Sequence, residues 1–417
     1  MPELNPAITG AVNSLISGVK SMGANSGGKD AVTPMGIIVR VLAIIGVLWI
    51  YLWLMRQYTK FESKPNIVRI SKEATQAQTE YARLNPKRKG IREYLQKLKS
   101  AGVPASQLCL TNFYVSTANA TGIFFPTYNG VASAEAARAA VLAGARGFVL
   151  DIWPDVSAGA NFGPVIQVVE EGSAWRRISL NSLPLSSVLS ALTQEAFDTR
   201  QRPGAEDPLF LYLRFRGSPR TSTYEQTRAA LTAVLESYRL DASFNGCRAQ
   251  DRLYTMPITS FFRKVIIFSN TRADGTSLAD YINVAPKEGV RVEFAVEEAR
   301  TLTTDMSRDA INRVKLNLTW LAPNSESSLA DSNGYDWERA QEIGIQFCAM
   351  NFWNRNDQLK RYLEPTMFGT QSFAIKPAKL RYIMEVMPDP KQPFDPKWGT
   401  GKTAGTLRDP PAIVIPK

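Results

Sequence analysis

The chain has 417 residues and a net charge of +11, with 44% hydrophobic and 21% charged residues. These proportions exclude a disordered chain, and the length allows one large domain or two small ones. Because the sequence contains no histidine, any chemistry that depends on an imidazole group is also excluded.

The positive charge predicts an anionic partner, which could be a membrane surface, a phosphate group or nucleic acid. The sequence has no zinc-ligand spacing and no compact basic-aromatic motif, so we expect no nucleic acid. A solvated basic surface without a partner is the alternative. The three cysteines, Cys109, Cys247 and Cys348, are odd in number and widely spaced. They indicate reduced thiols in a cytosol-like compartment.

Residues 1–34 include a Gly- and Ser-rich stretch and are predicted to be flexible. Met35–Met55, "MGIIVRVLAIIGVLWIYLWLM", follows with a single charge, Arg40. A helix of this length spans about 30 Å, the thickness of the hydrocarbon core of a bilayer. The sequence therefore predicts a transmembrane helix, with a buried core helix as the alternative.

The residues after this segment are more basic than those before it. The basic side chains on this side are Arg56, Lys60, Lys64, Arg69 and Lys72. The positive-inside rule then predicts a single-pass protein whose C-terminal part is cytoplasmic. The same side chains are expected to contact anionic headgroups. Residues 56–106 are predicted to form a basic juxtamembrane stalk.

From residue 107 to 386, short apolar runs alternate with helical segments. The predicted strands are 147–150, 165–169, 209–213, 264–268, 292–296, 314–320 and 343–350, and the predicted helices include 133–143 and 222–239. This alternation predicts an α/β fold, either a parallel barrel or a doubly wound sheet. Residues 387–417 are proline-rich and without periodicity, and are predicted to be an extended tail that docks on another protein. A disordered tail is the alternative.

Within this region the sequence resembles the eukaryotic-type phosphoinositide-specific phospholipase C family. Residues 109–270 are similar to its X half, through "STANATG" (116–122), "SAEAARAAVLAGARGFVLDIW" (133–153) and "DPLFLYLRF" (207–215). Residues 290–386 are similar to its Y half, chiefly through 331–381, which contains "GIQFCAMNFW" and "FAIKP". The resemblance implies a TIM-like barrel of the phospholipase C type.

The resemblance also implies a hydrolytic site that this sequence has lost. In the family, two histidines and a calcium ion act on the phosphodiester. The first histidine position falls on Ser116 or Thr117, and the second falls on Glu171. Of the calcium-ligand positions only Asp151 is retained, and Arg214 replaces the last glutamate.

We therefore expect a relict pocket without catalytic residues and without a metal ion or other cofactor. Arg214 is expected to supply the positive charge that calcium supplies in the family, by pairing with Asp151 and Glu171. The alternative for Ser116, Thr117, Asp151 and Glu171 is a purely structural role.

Three functions are consistent with this interpretation. The first is a membrane-anchored, inactive barrel that acts as a scaffold in a large membrane-associated assembly, such as a minor capsid protein of a virus with an inner membrane. Residues 1–34 and 387–417 would then contact other proteins of the assembly. The second is an active phosphodiesterase with a reorganised site that uses Glu170, Glu171 and Asp151, with calcium as its cofactor. The third is a receptor for anionic lipid headgroups that uses "RFRGSPR" (214–220).

Overall fold

The computed structural model of the chain divides into two compact units, Met1–Asn66 and Ile67–Lys417. The residues that the structure describes are 43, 46–53, 68, 72, 76, 89–124, 130–154, 163–170, 176–177, 179–197, 204–287, 291–294, 296, 304–323, 333–354, 356–364 and 367–383. In the first unit, residues 46–53 are helical. No helix within the described ranges is both long and apolar enough to cross a membrane. The predicted membrane segment Met35–Met55 lies largely outside those ranges.

The second unit alternates strands and helices. The α-helices of this unit whose bounds fall within the described ranges are Ile91–Ser100, Ala134–Leu142, Leu185–Phe197, Thr221–Leu235, Gln250–Thr255, Thr304–Leu316, Trp337–Glu342 and Asp357–Tyr362. Its strands are β1 (Phe113–Val115), β2 (Thr117–Ala118), β3 (Ile123–Phe124), β4 (Val131–Ala132), β5 (Gly147–Trp153), β6 (Val165–Ile166), β7 (Val169–Glu170), β8 (Arg176–Arg177), β9 (Leu183–Pro184), β10 (Leu209–Phe215), β11 (Val265–Ser269), β12 (Glu293–Phe294), β13 (Trp320–Leu321), β14 (Phe347–Met350) and β15 (Phe373–Ile375).

Among the described residues, seven strands of the main sheet are parallel, in the order β11-β10-β5-β2-β14-β13-β12. Two short strands extend it in the antiparallel sense: β6 pairs with the end of β5, and β9 pairs with β6. The register of β5 and β10 places Asp151 directly opposite Arg214. Because the strands are parallel, their carboxyl ends lie at one edge of the sheet, which is where such folds carry their sites.

Aromatic contacts show that this sheet is curled into a barrel. In the strand order, β11 and β13 are five positions apart, which would separate them by about 24 Å in a flat sheet. The ring centroids of Phe268 on β11 and Trp320 on β13 are only 5.3 Å apart. Their two strands therefore face each other across an interior filled by side chains.

The alternation of side chains along β5 and β10 decides which residues enter that interior. Phe148, Leu150 and Leu213 pack in the cluster that contains the surrounding helices. Val149 and Tyr212 pack in the separate interior cluster. Since the side-chain period of a strand is two, Asp151 and Arg214 point inward.

The helix Ile91–Ser100 belongs to the same packed body. Its buried residues, Ile91, Tyr94, Leu95 and Leu98, follow helical spacing and join the interior cluster with Val149 and Phe210. The backbone N–H of Ile91 donates to Asp207 Oδ1 at 2.8 Å. The body therefore begins before residue 107, inside the predicted stalk 56–106.

The prediction of a strand over 314–320 is wrong. The helix Thr304–Leu316 covers the first part of this stretch, and the strand begins only at Trp320. The alternation of apolar and polar residues in "VKLNLTW" indicates a strand locally. However, β12 and β13 are parallel neighbours, and parallel strands need a long crossover that a helix usually provides.

Candidate functional site

The site predicted around Asp151 is occupied by a buried ion pair. Asp151 comes from the carboxyl half of β5, and Arg214 comes from the same level of β10. Arg214 Nε lies 2.6 Å from Asp151 Oδ1, and Nη2 lies 3.0 Å from Oδ2. The side chain of Arg214 is 2% exposed and that of Asp151 is 4% exposed. This two-point geometry is specific to a guanidinium and is not available to a lysine.

The remaining donors of Arg214 reach three further groups. Nη1 donates to Glu293 Oε1 at 3.1 Å and to the carbonyl of Ala322 at 3.2 Å. Nη2 also donates to the carbonyl of Pro323 at 3.2 Å. A guanidinium has five N–H groups, so every donor of Arg214 has an acceptor. The side chain connects β10, β5, β12 and the segment after β13.

Arg216 adds a second positive charge to the same carboxylate, since its Nε lies 3.0 Å from Asp151 Oδ1. Burial alone would raise the pKa of the Asp151 carboxyl, but Arg214 and Arg216 outweigh this effect and hold the pKa well below its usual range. Burial alone would lower the pKa of Arg214, whereas Asp151 and Glu293 raise it above its usual value. Both groups therefore stay charged near neutral pH, and neither exchanges a proton there.

Glu293 is the second acid of the cluster, and Tyr212 holds its other oxygen. The Tyr212 hydroxyl donates to Glu293 Oε2 at 2.7 Å. Burial, together with the charge of Glu293, raises the pKa of Tyr212 well above its ordinary value. Tyr212 therefore remains a neutral hydrogen-bond donor. It supports Glu293, the more exposed of the two acids, whose side chain is 27% exposed.

Asn119 also contacts the segment that Arg214 binds. It follows β2 directly, and its Nδ2 donates to the Pro323 carbonyl at 3.2 Å. Its Oδ1 is buried and has no hydrogen-bond partner in the described part of the chain. Pro323 O thus accepts from both Asn119 and Arg214, which joins the end of β2 to the ion-pair cluster.

Ser116 and Thr117 are not brought to this cluster. Thr117 pairs with Gly147, four residues before Asp151, which corresponds to about 13 Å along the strand. The Thr117 hydroxyl donates to the Val115 carbonyl at 2.7 Å. Ser116 is buried near the amino end of β5, where its carbonyl accepts from Gly147 N. Glu171 lies outside the described residues.

Sequence reasoning identified the pair of Asp151 and Arg214 and named Arg216 only as part of the basic segment 214–220, and it missed Glu293, Tyr212 and Asn119. Glu293 lies inside a predicted strand, and Arg216 is two residues after Arg214 in "RFRGSPR". The sequence alone therefore shows a carboxylate on a predicted strand and a second arginine close to Arg214. Only the curvature of the sheet shows that β12 faces β10.

The residues of this cluster do not fit a calcium ion. Calcium requires six to eight oxygen ligands, mostly with negative charge. Both oxygens of Asp151 already accept from guanidinium N–H groups, and Arg214 would repel a cation at this position. In the described ranges, no group of three or more Cys, Asp or Glu side chains could hold a metal ion.

Solved structures of known proteins are similar to the structure of this chain. No family model and no curated protein matches the sequence. The crystal structure of PLC21 from L. pealei matches with a TM-score of 0.52 and 16% identity over 68% of this chain. PLC21 from S. officinalis matches with a TM-score of 0.51 and 16% identity over 69% of this chain.

The chain has a phospholipase C-like fold. It covers only 39% of the length of each PLC21 protein. A calcium-dependent phosphoinositol-specific phospholipase C from Pseudomonas sp. is also similar, with a TM-score of 0.42 and 10% identity. That alignment covers 66% of this chain and 97% of the bacterial protein. At these identities the likeness concerns the fold, so the activity has to be argued from the side chains of the phospholipase C-like barrel.

Proposed function

We propose that this protein is a membrane-anchored phospholipase C-like barrel that does not hydrolyse phosphodiesters and acts as a scaffold in a membrane-associated assembly. The observation that supports this proposal is the pairing of Arg214 with Asp151 and Glu293 at the carboxyl ends of the strands. A minor component of a virus capsid that lies over an inner membrane is one assembly of this kind.

The arginine differs from a metal ion in ways that matter for phosphoryl chemistry. A catalytic metal stabilises the developing charge because it keeps open positions for substrate oxygens. All five N–H groups of Arg214 already have acceptors, and two carboxylates offset its charge. The guanidinium therefore has no donor to offer a phosphate unless the cluster rearranges.

The proton transfers of the reaction also lack a suitable group. General acid–base catalysis is most efficient when the pKa of the group lies near the working pH. The chain has no histidine, and the pKa values of Asp151 and Tyr212 are displaced away from neutrality in opposite directions. These facts support a non-hydrolytic role.

The membrane part of the proposal rests on the N-terminal unit. Residues 47–53 are helical and bear large apolar side chains that are 45–67% exposed, among them Trp49 and Trp53. Exposed apolar residues around a helix are unfavourable in water and favourable in a bilayer. We propose that Met35–Met55 crosses the membrane with the barrel on the cytoplasmic side. The basic side chains Arg56, Lys60, Lys64, Arg69 and Lys72 would contact anionic lipid.

Hydrolysis is tested with the full chain in vesicles that contain phosphatidylinositol or its phosphorylated forms. We expect no release of inositol phosphate, with or without calcium, while a calcium-dependent phospholipase C hydrolyses the same vesicles. Calcium should also leave the melting temperature unchanged, because a ligand of the native state would raise it. Calcium-dependent turnover that Asp151→Ala abolishes would overturn the proposal in favour of an active phosphodiesterase.

The scaffold role is tested by cross-linking the protein in its native assembly and by deleting residues 388–417. The deletion should leave the melting temperature of the barrel nearly unchanged and weaken incorporation into the assembly. Normal incorporation of the truncated chain would refute docking through the tail.

Flotation with neutral and with anionic vesicles distinguishes the scaffold from a receptor for anionic lipid headgroups. Binding by such a receptor would need the basic side chains of residues 214–220.

A further inference from the structure

Lys376 is a buried basic residue that takes no part in the Arg214 cluster. It follows β15 directly and is 0% exposed, and its Nζ has no hydrogen-bond partner in the described part of the chain. The side chain points inward to Gly344, where a Cβ atom would lie 3.7 Å from Nζ. A charged amine donates three hydrogen bonds, and a buried charge without acceptors is strongly unfavourable. The closed structure therefore favours the neutral amine.

The titratable groups around this amine bring no full negative charge. Within the described ranges they are the Tyr114 ring, whose centroid lies 5.9 Å from Nζ, the thiols of Cys109 and Cys348, and the ammonium group of Lys315. Burial raises the pKa of Tyr114 and of both thiols, so none of the three is an anion at neutral pH. An aromatic ring attracts a cation less strongly than a carboxylate does, and Lys315 adds a weaker repulsion. Burial therefore lowers the pKa of Lys376 to about 7.

The residues that follow this amine form a thin cover over it. Residues 376–383 are here called the strap. Within the strap, residues 377–379 are exposed. Leu380 is 2% exposed and, like Lys376, packs against Gly344. Because the cover is thin, water reaches Nζ by a local opening of the strap rather than by unfolding of the barrel.

The strap is held by one short stretch of the chain that precedes β1. The backbone N–H of Lys376 donates to the carbonyl of Asn112 at 2.9 Å. Tyr382 N donates to Asn112 Oδ1 at 2.6 Å, and Asn112 Nδ2 donates to the carbonyl of Tyr382 at 2.8 Å. Arg381 Nη1 donates to Gln107 Oε1 at 3.1 Å. Because these contacts share one stretch, the strap detaches as a single unit when they break.

We propose that residues 376–383 form a proton-operated strap, which lifts from the barrel when Lys376 takes up a proton. The closed state holds the neutral amine, whereas the lifted state exposes the ammonium group to water. The lifted fraction therefore rises as the pH falls. The bonds to Asn112 and the contact of Leu380 with Gly344 break together, while the strands of the barrel stay paired. The strap and the Arg214 cluster share no residue, so the proposal is independent of whether the barrel hydrolyses lipids.

The test is hydrogen–deuterium exchange of the full chain in detergent, read by mass spectrometry between pH 6 and 9 and corrected for intrinsic exchange rates. The pKa of Lys376 is about 7 in the closed state and takes the ordinary value of 10.5 when the strap is lifted. The lifting constant of the strap should then increase about 50-fold from pH 9 to 7 and only about twofold from pH 7 to 6. The corrected rates of the β10 amides should not follow this profile.

Three variants separate the proton from the packing. Lys376→Met should remove the increase between pH 9 and 7, because its side chain has a similar length and binds no proton. Lys379→Met, at an exposed position of the same strap, is the matched control and should keep the increase. Leu380→Ala should raise the lifting constant about thirtyfold or more at each pH, because it removes a buried side chain from the strap. It should also keep the increase.

Corrected exchange of the strap that does not change with pH in the unaltered chain would overturn the proposal. An acceleration shared by β10 would do the same, because the barrel would then unfold as a whole. An undiminished increase in Lys376→Met would assign the titration to another group. Equal exchange in Leu380→Ala and the unaltered chain would show that packing on Gly344 does not hold the strap. If Lys376→Met does not fold, the levelling of the unaltered profile below pH 7 decides the question.

Discussion

Two buried cations of the same barrel have opposite environments. The side chain of Arg214 is 2% exposed, and all of its N–H groups have acceptors at the carboxyl ends of the strands. Lys376 is fully buried in the segment after β15, and its Nζ has no hydrogen-bond partner in the described part of the chain. The difference shows that burial alone does not decide whether a cation stays charged.

The neighbours of each group account for the difference. Arg214 faces two carboxylates, so it keeps its charge. Nζ of Lys376 lies 5.9 Å from the centroid of the Tyr114 ring, and the thiols of Cys109 and Cys348 are nearby. Burial raises the pKa of both thiols, to about 11 for Cys109, so neither offers an anion at neutral pH. Burial lowers the pKa of Lys376 to about 7.

The largest effect on stability is expected when Arg214, which pairs with both Asp151 and Glu293, is replaced. Arg214→Met leaves Asp151 buried beside Arg216 alone and removes the positive charge next to Glu293. Loss of one partner of a buried ion pair typically costs about 3–5 kcal/mol. Urea unfolding at pH 7 should show a decrease of this size in the free energy of unfolding.

Arg272→Met is the control for this change, because Arg272 is 51% exposed and lies 3.8 Å from an exposed acid. Its substitution should change the free energy of unfolding very little. Equal costs for the two variants would mean that the Arg214 cluster is hydrated and contributes no more than a surface pair. Asp151→Asn combined with Arg214→Met should recover part of the lost stability.

The next largest effect is a pH dependence that comes from Lys376. Its folded-state pKa of about 7 lies below the ordinary lysine value of 10.5. Between these pH values the unfolded chain holds a proton that the native protein has released, so the Lys376 contribution to stability rises with pH. Between pH 7 and 9 this contribution increases by about 2 kcal/mol.

The contribution is measured as the difference in free energy of unfolding between Lys376→Met and the unaltered protein. The variant should be more stable at pH 6, and its advantage should shrink by the stated amount from pH 7 to 9. Lys379→Met, at an exposed position three residues later, should show no such change. An advantage that stays constant with pH would mean that Lys376 remains protonated and that the contrast with Arg214 does not hold.

The smallest effect concerns the hydrogen bond from Tyr212 to Glu293. Tyr212→Phe removes a hydroxyl that donates at 2.7 Å, and water can partly replace it because Glu293 is 27% exposed. We expect a loss of about 1 kcal/mol in the free energy of unfolding. In a Glu293→Gln background the same substitution should cost less. An unchanged cost would show that the two side chains are not coupled.

The sequence predicted the elements that carry the ion pair because local signals agree there with the fold. The strands at 147–150 and 209–213 are short apolar runs followed by charged residues, and both are observed with longer carboxyl ends. The helix prediction 133–143 agrees closely with Ala134–Leu142, whose N-cap is Ser133. In each case the periodicity of the segment itself identifies the element.

The prediction was poorer where distant contacts decide the structure. Ile91–Ser100 has an amphipathic pattern that is compatible with a stalk, and its packing against Val149 and Phe210 is visible only in three dimensions. Ser116 and Thr117 were placed in the pocket by alignment with a motif. The strand register moves them towards the amino end of β5 instead, because one strand pairing fixes the level of every residue along it.

By itself, the sequence determined the α/β class and the loss of histidine chemistry, since local periodicity and composition carry these properties, and its resemblance to the phospholipase C family implied that Arg214 pairs with Asp151. The curvature of the sheet decided the rest. It brought Glu293 of β12 to Arg214 and left Lys376 among neutral groups. Nothing in "AIKPAKL" distinguishes Lys376 from the exposed Lys379 three positions later, because the cost of a buried charge depends on neighbours that only folding assembles.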